Sequence, residues 1–478
     1  MTLDRYLGCG VFLLPTLKGE IAMERDITNN EEILELLDAR KIGQVREKLK
    51  CENPIDLAEI LSEMPDERRP LLFRLLPKEQ AAEAFVEMDH DVQEKLIKSF
   101  SDRELADVLS EMFIDDTVDL IEEMPANVVS RILANSDSDM RKSINEILNY
   151  PSDSAGSVMT VEYVSLKPDM TISDAFDTIK RTGVDKETVY TCYVTDRNRH
   201  LIGVVTVKDM LITDKKLISD IMETNIISVN TLEDKEQVGT IFLEYGFLAL
   251  PVVDAENRLV GIVTYDDAMD VISEEVEEDI QVMAGITPSD EQYLKTSVFS
   301  IWKSRIPWLL LLMISATFTG IIITKFEDAL AASVALTAFI PMLMDTGGNS
   351  GSQASVTVIR GLSLQEIEFR DIFRVQWKEL RVSFFCGLTL AAANFLKILL
   401  VDKLLLRTDG LTLSVIAVVC LTLFATVLIA KIIGCSMPII AQKIGFDPAV
   451  MASPFITTVV DAVSLLIYFG FARAILHI

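Results

Sequence analysis

Basic side chains are scarce over the first 300 residues, where 61 Asp and Glu stand against 30 Lys and Arg, a balance of −31. Binders of nucleic acid need a basic footprint, so nucleic acid is excluded as a partner. Cysteine is also sparse. The six (Cys9, Cys51, Cys192, Cys386, Cys420, Cys435) include no pair at ligand spacing, which excludes a disulfide framework and a zinc site. The three histidines, His90, His200 and His477, are isolated. No nucleophile, base and acid stand together, so no enzyme is expected. The apolar run Cys9–Leu17 is too short and too lightly flanked for a signal peptide. Residues 1–25 read as an extension without an assigned role.

The acidity is confined to one part of the chain. Residues 301–478 carry 11 acidic and 14 basic side chains, a balance of +3, which brings the 478-residue total to −28. The first part reads as a soluble acidic body and the second as a membrane body. An acidic surface serves solubility or attracts cations.

Over 26–150 apolar residues recur at three- and four-residue intervals, as in Ile33, Leu36, Leu37 and Leu57, Ile60, Leu61. Glu-Met recurs at 63–64, 87–88 and 111–112, and DLAEILSEM at 56–64 returns as ELADVLSEM at 104–112. A step of 24 residues fits helix pairs stacked in series, a solenoid-like superhelical domain. Asp115, Asp116 and Asp119 crowd one helical turn. Positions 115 and 119 share a face, where like charges repel unless solvated or bridged by a cation.

From Ser154 the pattern changes to short β-branched runs alternating with helices. LIGVVTVKD at 201–209 matches LVGIVTYDD at 259–267, an offset of 58 residues. Two such βαββα halves resemble a tandem pair of CBS domains, 154–214 and 215–273. That resemblance implies a regulatory module with an adenine nucleotide, ATP for example, between the repeats. Asp209 and Asp267 would then stand at the ribose. Either aspartate also serves as a plain helix cap.

Residues 274–304 read as a connecting helix and an interfacial lead-in. Asp267, Asp270, Glu274, Glu277 and Glu278 line one side of the acidic stretch 266–281, and Glu275 pairs with Asp279 at i,i+4. Such a helix is either a solvated connector or a rod that passes ligand state into the membrane part. Five spans are expected over 305–478: 306–324, 329–360, 382–401, 411–433 and 451–475. Arg360, Arg370, Arg374, Lys378 and Arg381 concentrate between the second and third. This puts that loop and the acidic body in the cytoplasm and the C-terminus outside the plasma membrane.

Two features break the apolar rule inside these spans. Pro341–Gly361 holds Asp345, Gly347, Gly348, Asn349, Gly351 and Gln353. It reads either as a small-residue packing seam or as a wall of a polar pathway bent at its glycines. Asp461 sits mid-span with no Lys or Arg within eight residues, and Ser453, Thr457 and Ser464 make a polar stripe with it. Oxygen-only ligands with one carboxylate suit a hard divalent cation such as Mg²⁺, and a symmetric dimer would double that carboxylate.

The order of parts, with PMLMDTGGNSGSQAS in the second span and DPAVMASPFITTVVDAVSLLIYF in the fifth, resembles the MgtE family of magnesium channels over about 26–478. The resemblance implies a homodimer, surrounded by membrane lipid, with its pore on the two-fold axis. Asp461 would be the ion-binding carboxylate, with Thr457, Asn349, Gly347 and Gly348 lining the passage. It also implies a cytosolic Mg²⁺ sensor that holds the pore closed, made of Glu83, Asp115, Asp119, Asp234, Glu236, Asp267, Glu275, Glu278, Asp279 and Asp447. Ser453 departs from the family pattern near the pore mouth. Two alternatives remain open at this point: a coupled transporter for Co²⁺ or Mn²⁺, and a nucleotide-sensing membrane receptor without conduction.

Overall fold

The computed structural model describes residues 30–477 except 290–292, 295, 328–329, 331–333 and 407–410, and all side chains among these but those of Asp185 and Ser453. The N-terminal extension and the hydroxyl of Ser453 thus lie outside the described residues. Two compact units divide the chain at Val271 and Ile272.

The first unit begins with ten short helices, from Asn30–Asp38 to Ser138–Ile147. Their starts are written locally. Asn53 accepts the amide of Asp56 to open Pro54–Glu63, and Ser101 and Glu104 form a reciprocal capping box at Asp102–Leu109. The 24-residue repeat has a structural counterpart. Pro54–Glu63, Lys78–Val86 and Asp102–Leu109 pack one on the next, and the series continues to Ala126–Asn135. Met64, Met88 and Met112 sit at the ends of the first three, buried in one shared core. Ion pairs between Arg74 and Glu104, Lys78 and Asp107, and Arg131 and Asp102 cross from repeat to repeat. They are solvent-exposed, so the apolar core carries the stacking.

Next come two three-stranded sheets. β1 (Ser165–Leu166), β2 (Thr191–Thr195) and β3 (Leu201–Thr206) form one, and β4 (Val229–Asn230), β5 (Ala249–Val253) and β6 (Leu259–Thr264) the other. Each has a parallel first pair and an antiparallel second pair, with an irregularity at the same place. The repeat read from LIGVVTVKD and LVGIVTYDD is therefore a repeat of topology. Tyr193 and Leu201 of one sheet share a core with Ala249, Val253, Leu259 and Ile262 of the other. The segment after Ser154, counted from sequence with the first repeat, packs elsewhere. Ala155 and Met159 sit in the core of the second repeat, and Thr160 bonds the backbone of Ile262 in both directions.

A single helix, Tyr265–Met283, carries the acidic stretch. The last part of the expected lead-in is continuous with the first span, since Val298 begins the 28-residue helix Val298–Lys325. Among the described residues four helical segments are long and apolar enough to cross a membrane: Val298–Lys325, Phe369–Leu405, Leu413–Lys443 and Pro448–Leu476. The second expected span, 329–360, corresponds to the 24-residue helix Ile340–Ser363, whose glycines and polar residues keep it out of that apolar set. It follows a 3₁₀ turn at Val334–Phe339. The helix runs unbroken through Gly347 and Gly348.

The glycines serve close packing. Leu413–Lys443 is the central helix, in contact with Ile340–Ser363, Ile372–Lys397 and Ser453–Leu476. A Cβ at Gly347 would meet Thr426, Ser464 and Val460, and one at Gly348 would meet Thr457. A Cβ at Gly434 would lie 2.2 Å from the Gly351 carbonyl oxygen, whereas one at Gly320 meets nothing within 4 Å. Without a hydrophobic drive between helices in lipid, this backbone approach is a main source of association. Gly434→Ala should therefore cost about 1–3 kcal/mol by overpacking. A drop of several degrees in the thermal midpoint of the detergent-solubilised protein is expected, with Gly320→Ala within error of wild type.

Candidate cation sites

Three groups of carboxylates stand out. The first lies wholly in the first unit. Helix Ile114–Glu123 opens without a side-chain cap at Phe113, and the amide of Ile114 is instead bonded by the Glu162 carboxylate at 3.0 Å. The next residue, Asp115, is 8% exposed. Burial holds its carboxyl well above the ordinary range, reinforced by Asp267, Asp116 and Glu187. Burial, then Asp267, pushes Asp116 up to about 7. Burial, then Asp116 and Asp267, pushes Glu187 up to about 8. Asp267 rises to about 6 through burial, against the hydrogen bonds that Thr264 donates to it. Glu187 Oε2 is buried without a hydrogen-bond partner. Carboxylates from the helical domain and both sheet repeats thus converge where water is scarce.

The second group is in the second unit. Asp279, on the far part of the acidic helix, faces Asp447. Burial, then Asp447 and Glu278, raises its carboxyl to about 6, while Ser363 hydrogen-bonds to it and opposes the rise. Asp447 itself accepts the amide of Ala449 at 2.7 Å, starting the turn that leads into Ser453–Leu476.

The third group is at membrane depth. On Ile340–Ser363 the buried face carries Gly347, Gly348 and Gly351, and the exposed face carries Asp345, Asn349, Gln353 and Thr357 at i,i+4 spacing. Asn349 Nδ2 donates to Asp345 Oδ1 at 3.2 Å. Asp461 is half-buried, and the Asp345 carboxylate acts on it electrostatically. The expected stripe on the last helix is thinner than its sequence suggests. Ser464 is 1% exposed and donates to the Val460 carbonyl at 2.7 Å. Thr457 donates to the Pro454 carbonyl at 2.9 Å.

Sequence reasoning named Asp115, Asp267, Asp279 and Asp447 within one set of ten acids without pairing them, and folding brings Asp115 near Asp267 and Asp279 near Asp447. Glu275 is half-buried beside Asp279, and Asp119, on the Asp115 helix, is at the surface, as are Glu83, Asp234, Glu236 and Glu278. Asp234 caps its helix through the Glu236 amide at 2.9 Å. Asp209 closes a capping box with Thr206. Glu162 and Glu187 were missed, since nothing local marks a loop carboxylate that tertiary folding will bury. Among the described residues no three His, Cys, Asp or Glu side chains form a ready metal cage.

An acidic, layered body joined to an apolar helical body with carboxylates at membrane depth defines a membrane transporter for cations. The profile described as "Divalent cation transporter" matches residues 340–471, "MgtE intracellular N domain" matches 52–153 and "CBS domain" matches 155–214 and 218–274. The "Magnesium transporter MgtE" of Thermus thermophilus is 34% identical over 452 residues, covering 94% of this chain and 98% of its own length. That of Bacillus subtilis is 32% identical over 459 residues, covering 95% and 100%. A crystal structure of the cytosolic domain of the Mg²⁺ channel MgtE in complex with ATP is 33% identical, covers 51% of this chain and all of that one, and aligns with a TM-score of 0.48. The chain belongs to the MgtE family.

The raised carboxyls set a pH dependence. A folded state that binds protons more tightly than the unfolded one is most stable at low pH and loses that stability as pH rises through the folded values. The ordinary values are 3.8 for the aspartates and 4.5 for Glu187, and the folded ones are about 6 for Asp267 and Asp279, about 7 for Asp116 and about 8 for Glu187, so the loss runs from about pH 4 to pH 8. In chelator, the thermal midpoint of the full-length protein should fall across that window. Millimolar divalent cation should restore it at pH 8.

Proposed function

We propose that the protein is a magnesium channel of the cell membrane. It carries Mg²⁺ inward along a homodimer axis and is closed by cytosolic Mg²⁺ on its acidic domains. The observation that carries this reading is the exposed stripe Asp345, Asn349, Gln353 and Thr357 on a helix within an otherwise apolar bundle. Hydrocarbon cannot solvate such a face, so it must line water or meet protein. A two-fold axis along the stripe supplies both, enclosing a passage between two identical walls. Asp461 then supplies the selecting charge with Asp345 beside it, and Asn349 and Thr457 add oxygens. Gly347 and Gly348 set how closely the wall is seated. Full-length relatives named magnesium transporters support the choice of ion.

In this reading the three unit-one carboxylates Asp115, Asp116 and Glu187, with Asp267 at the helix start, take up cytosolic Mg²⁺. Asp279 and Asp447 do so nearer the membrane. Asp119, Glu83, Asp234, Glu236, Glu275 and Glu278 hold its hydration shell. Cation binding removes the mutual repulsion and so favours the compact, closed state. An adenine nucleotide is proposed between the sheet repeats, near Asp209 and Asp267. Lys and Arg between the second and third of five spans put the acidic unit in the cytoplasm and the C-terminus outside.

In patch-clamp recording, Asp461→Ala should remove Mg²⁺ current at unchanged surface level, and normal current would sink the pore assignment. Asp279→Asn with Asp447→Asn should conduct at cytosolic Mg²⁺ levels that close the wild type. Intact closure would return these residues to a structural role. ATP titrated into the full-length protein should give a saturable heat, absent from Asp209→Ala.

A further inference from the structure

One charged pair in the membrane unit has no part in that passage. Lys431 lies deep in the central helix Leu413–Lys443 and is 5% exposed. Its Nζ stands 3.7 Å from Glu379 Oε2 of Ile372–Lys397, with both side chains largely buried. That oxygen is buried and accepts no hydrogen bond. A second polar link joins the same two helices nearby, where Gln376 donates to Ser436 Oγ at 2.9 Å and Ser436 donates to the Ile432 carbonyl at 2.6 Å. A pair at this spacing, with an unbonded acceptor, is a poor source of stability, and apolar residues of like volume would hold the helices as well or better.

Its use is register. Apolar helices in lipid slide and rotate past each other at little cost, since neighbouring hydrocarbon is as good a partner as another leucine. A buried charge pair has one register in which both charges are met, and every other register strands a charge. Lys431 sits on the face adjoining Ala430 and Gly434. Those two make the tightest approach to the glycine helix: the Ala430 carbonyl lies against Gly351, and Gly434 against the Gly351 carbonyl. A shift of the central helix is therefore a shift of the wall bearing Asp345 and Asn349. We propose that Glu379 and Lys431 are a positioning pair. It locks the central helix against Ile372–Lys397 so that the wall stays in line with Asp461. This rests on the passage reading above.

The test is Mg²⁺ flux into liposomes holding the full-length protein, with four variants: E379Q, K431M, the reversed pair E379K/K431E and the apolar pair E379L/K431M. The two single variants should lose about tenfold in maximal rate, the scale of a coupling carried through packed helices, with half-saturating Mg²⁺ unchanged. The reversed pair should recover most of the rate. The apolar pair should melt at or above the wild-type temperature yet transport as poorly as the singles. That result separates positioning from stability, and it stands even where a single variant fails to insert. An apolar pair that transports like wild type overturns the proposal, as does a well-folded reversed pair no faster than the singles. Wild-type liposomes that pass no Mg²⁺ would instead sink the transport reading, before any variant is made.

Discussion

A carboxylate taken out of water must meet a cation or take up a proton, and most of this chain is arranged around that choice. Asp115, Asp116, Glu187 and Asp267 are drawn together without a basic neighbour strong enough to head the causes acting on any of them. Asp279 meets Asp447 on the same terms. At membrane depth Asp461 meets Asp345. Each group is destabilising as a bare set of anions, and in the proposed function each is relieved by a hydrated divalent ion. Glu379 is the exception that received its cation from the chain itself, in Lys431. The two arrangements divide the carboxylates into those left for a ligand and those already spent on holding helices in place.

The second constraint is how near two backbones come. Gly351 and Gly434 meet carbonyl to Cα, and Gly347 and Gly348 accept side chains of the central and last helices. Small residues on one face leave the other face of the same helix free to be polar. The seam and the polar wall, which looked like rival explanations of one stretch, are two sides of a single helix.

Much of this was legible beforehand, for reasons that differ by element. The 24-residue repeat survives translation into structure because Met64, Met88 and Met112 are recurring core positions. The duplicated Thr-x-x-Asp motif marks a capping box at Thr206 and Asp209 and matching hydrogen bonds from Thr264 to Asp267, because caps are local. Asp461 could be singled out because a charge in an apolar run is conspicuous on its own. Lys431 offered the same signal, but its meaning depended on Glu379, 52 positions earlier on another helix. Gly347 and Gly348 do not interrupt their helix, because glycine permits a break without requiring one. Ser464 is lost from the polar stripe, since its hydroxyl found a carbonyl within its own helix. Glu162 and Glu187 carry no local pattern at all.

The polar make-up of Ile340–Ser363 bears on how the protein is built in the cell. Val298–Lys325 has no fully buried residue and is apolar along its length, so lipid can meet most of its surface, and it can leave the insertion machinery as a finished helix. Ile340–Ser363 cannot, because lipid offers nothing to Asp345, Asn349 or Gln353. The partner that covers its glycine face, Leu413–Lys443, is synthesised only after a further span has emerged. The glycine helix must therefore wait in a protected setting and enter the bilayer as part of an assembled group. Assembly of the membrane unit is thus expected to run out of step with the order of its sequence, with Ile340–Ser363 among the last elements to reach its place.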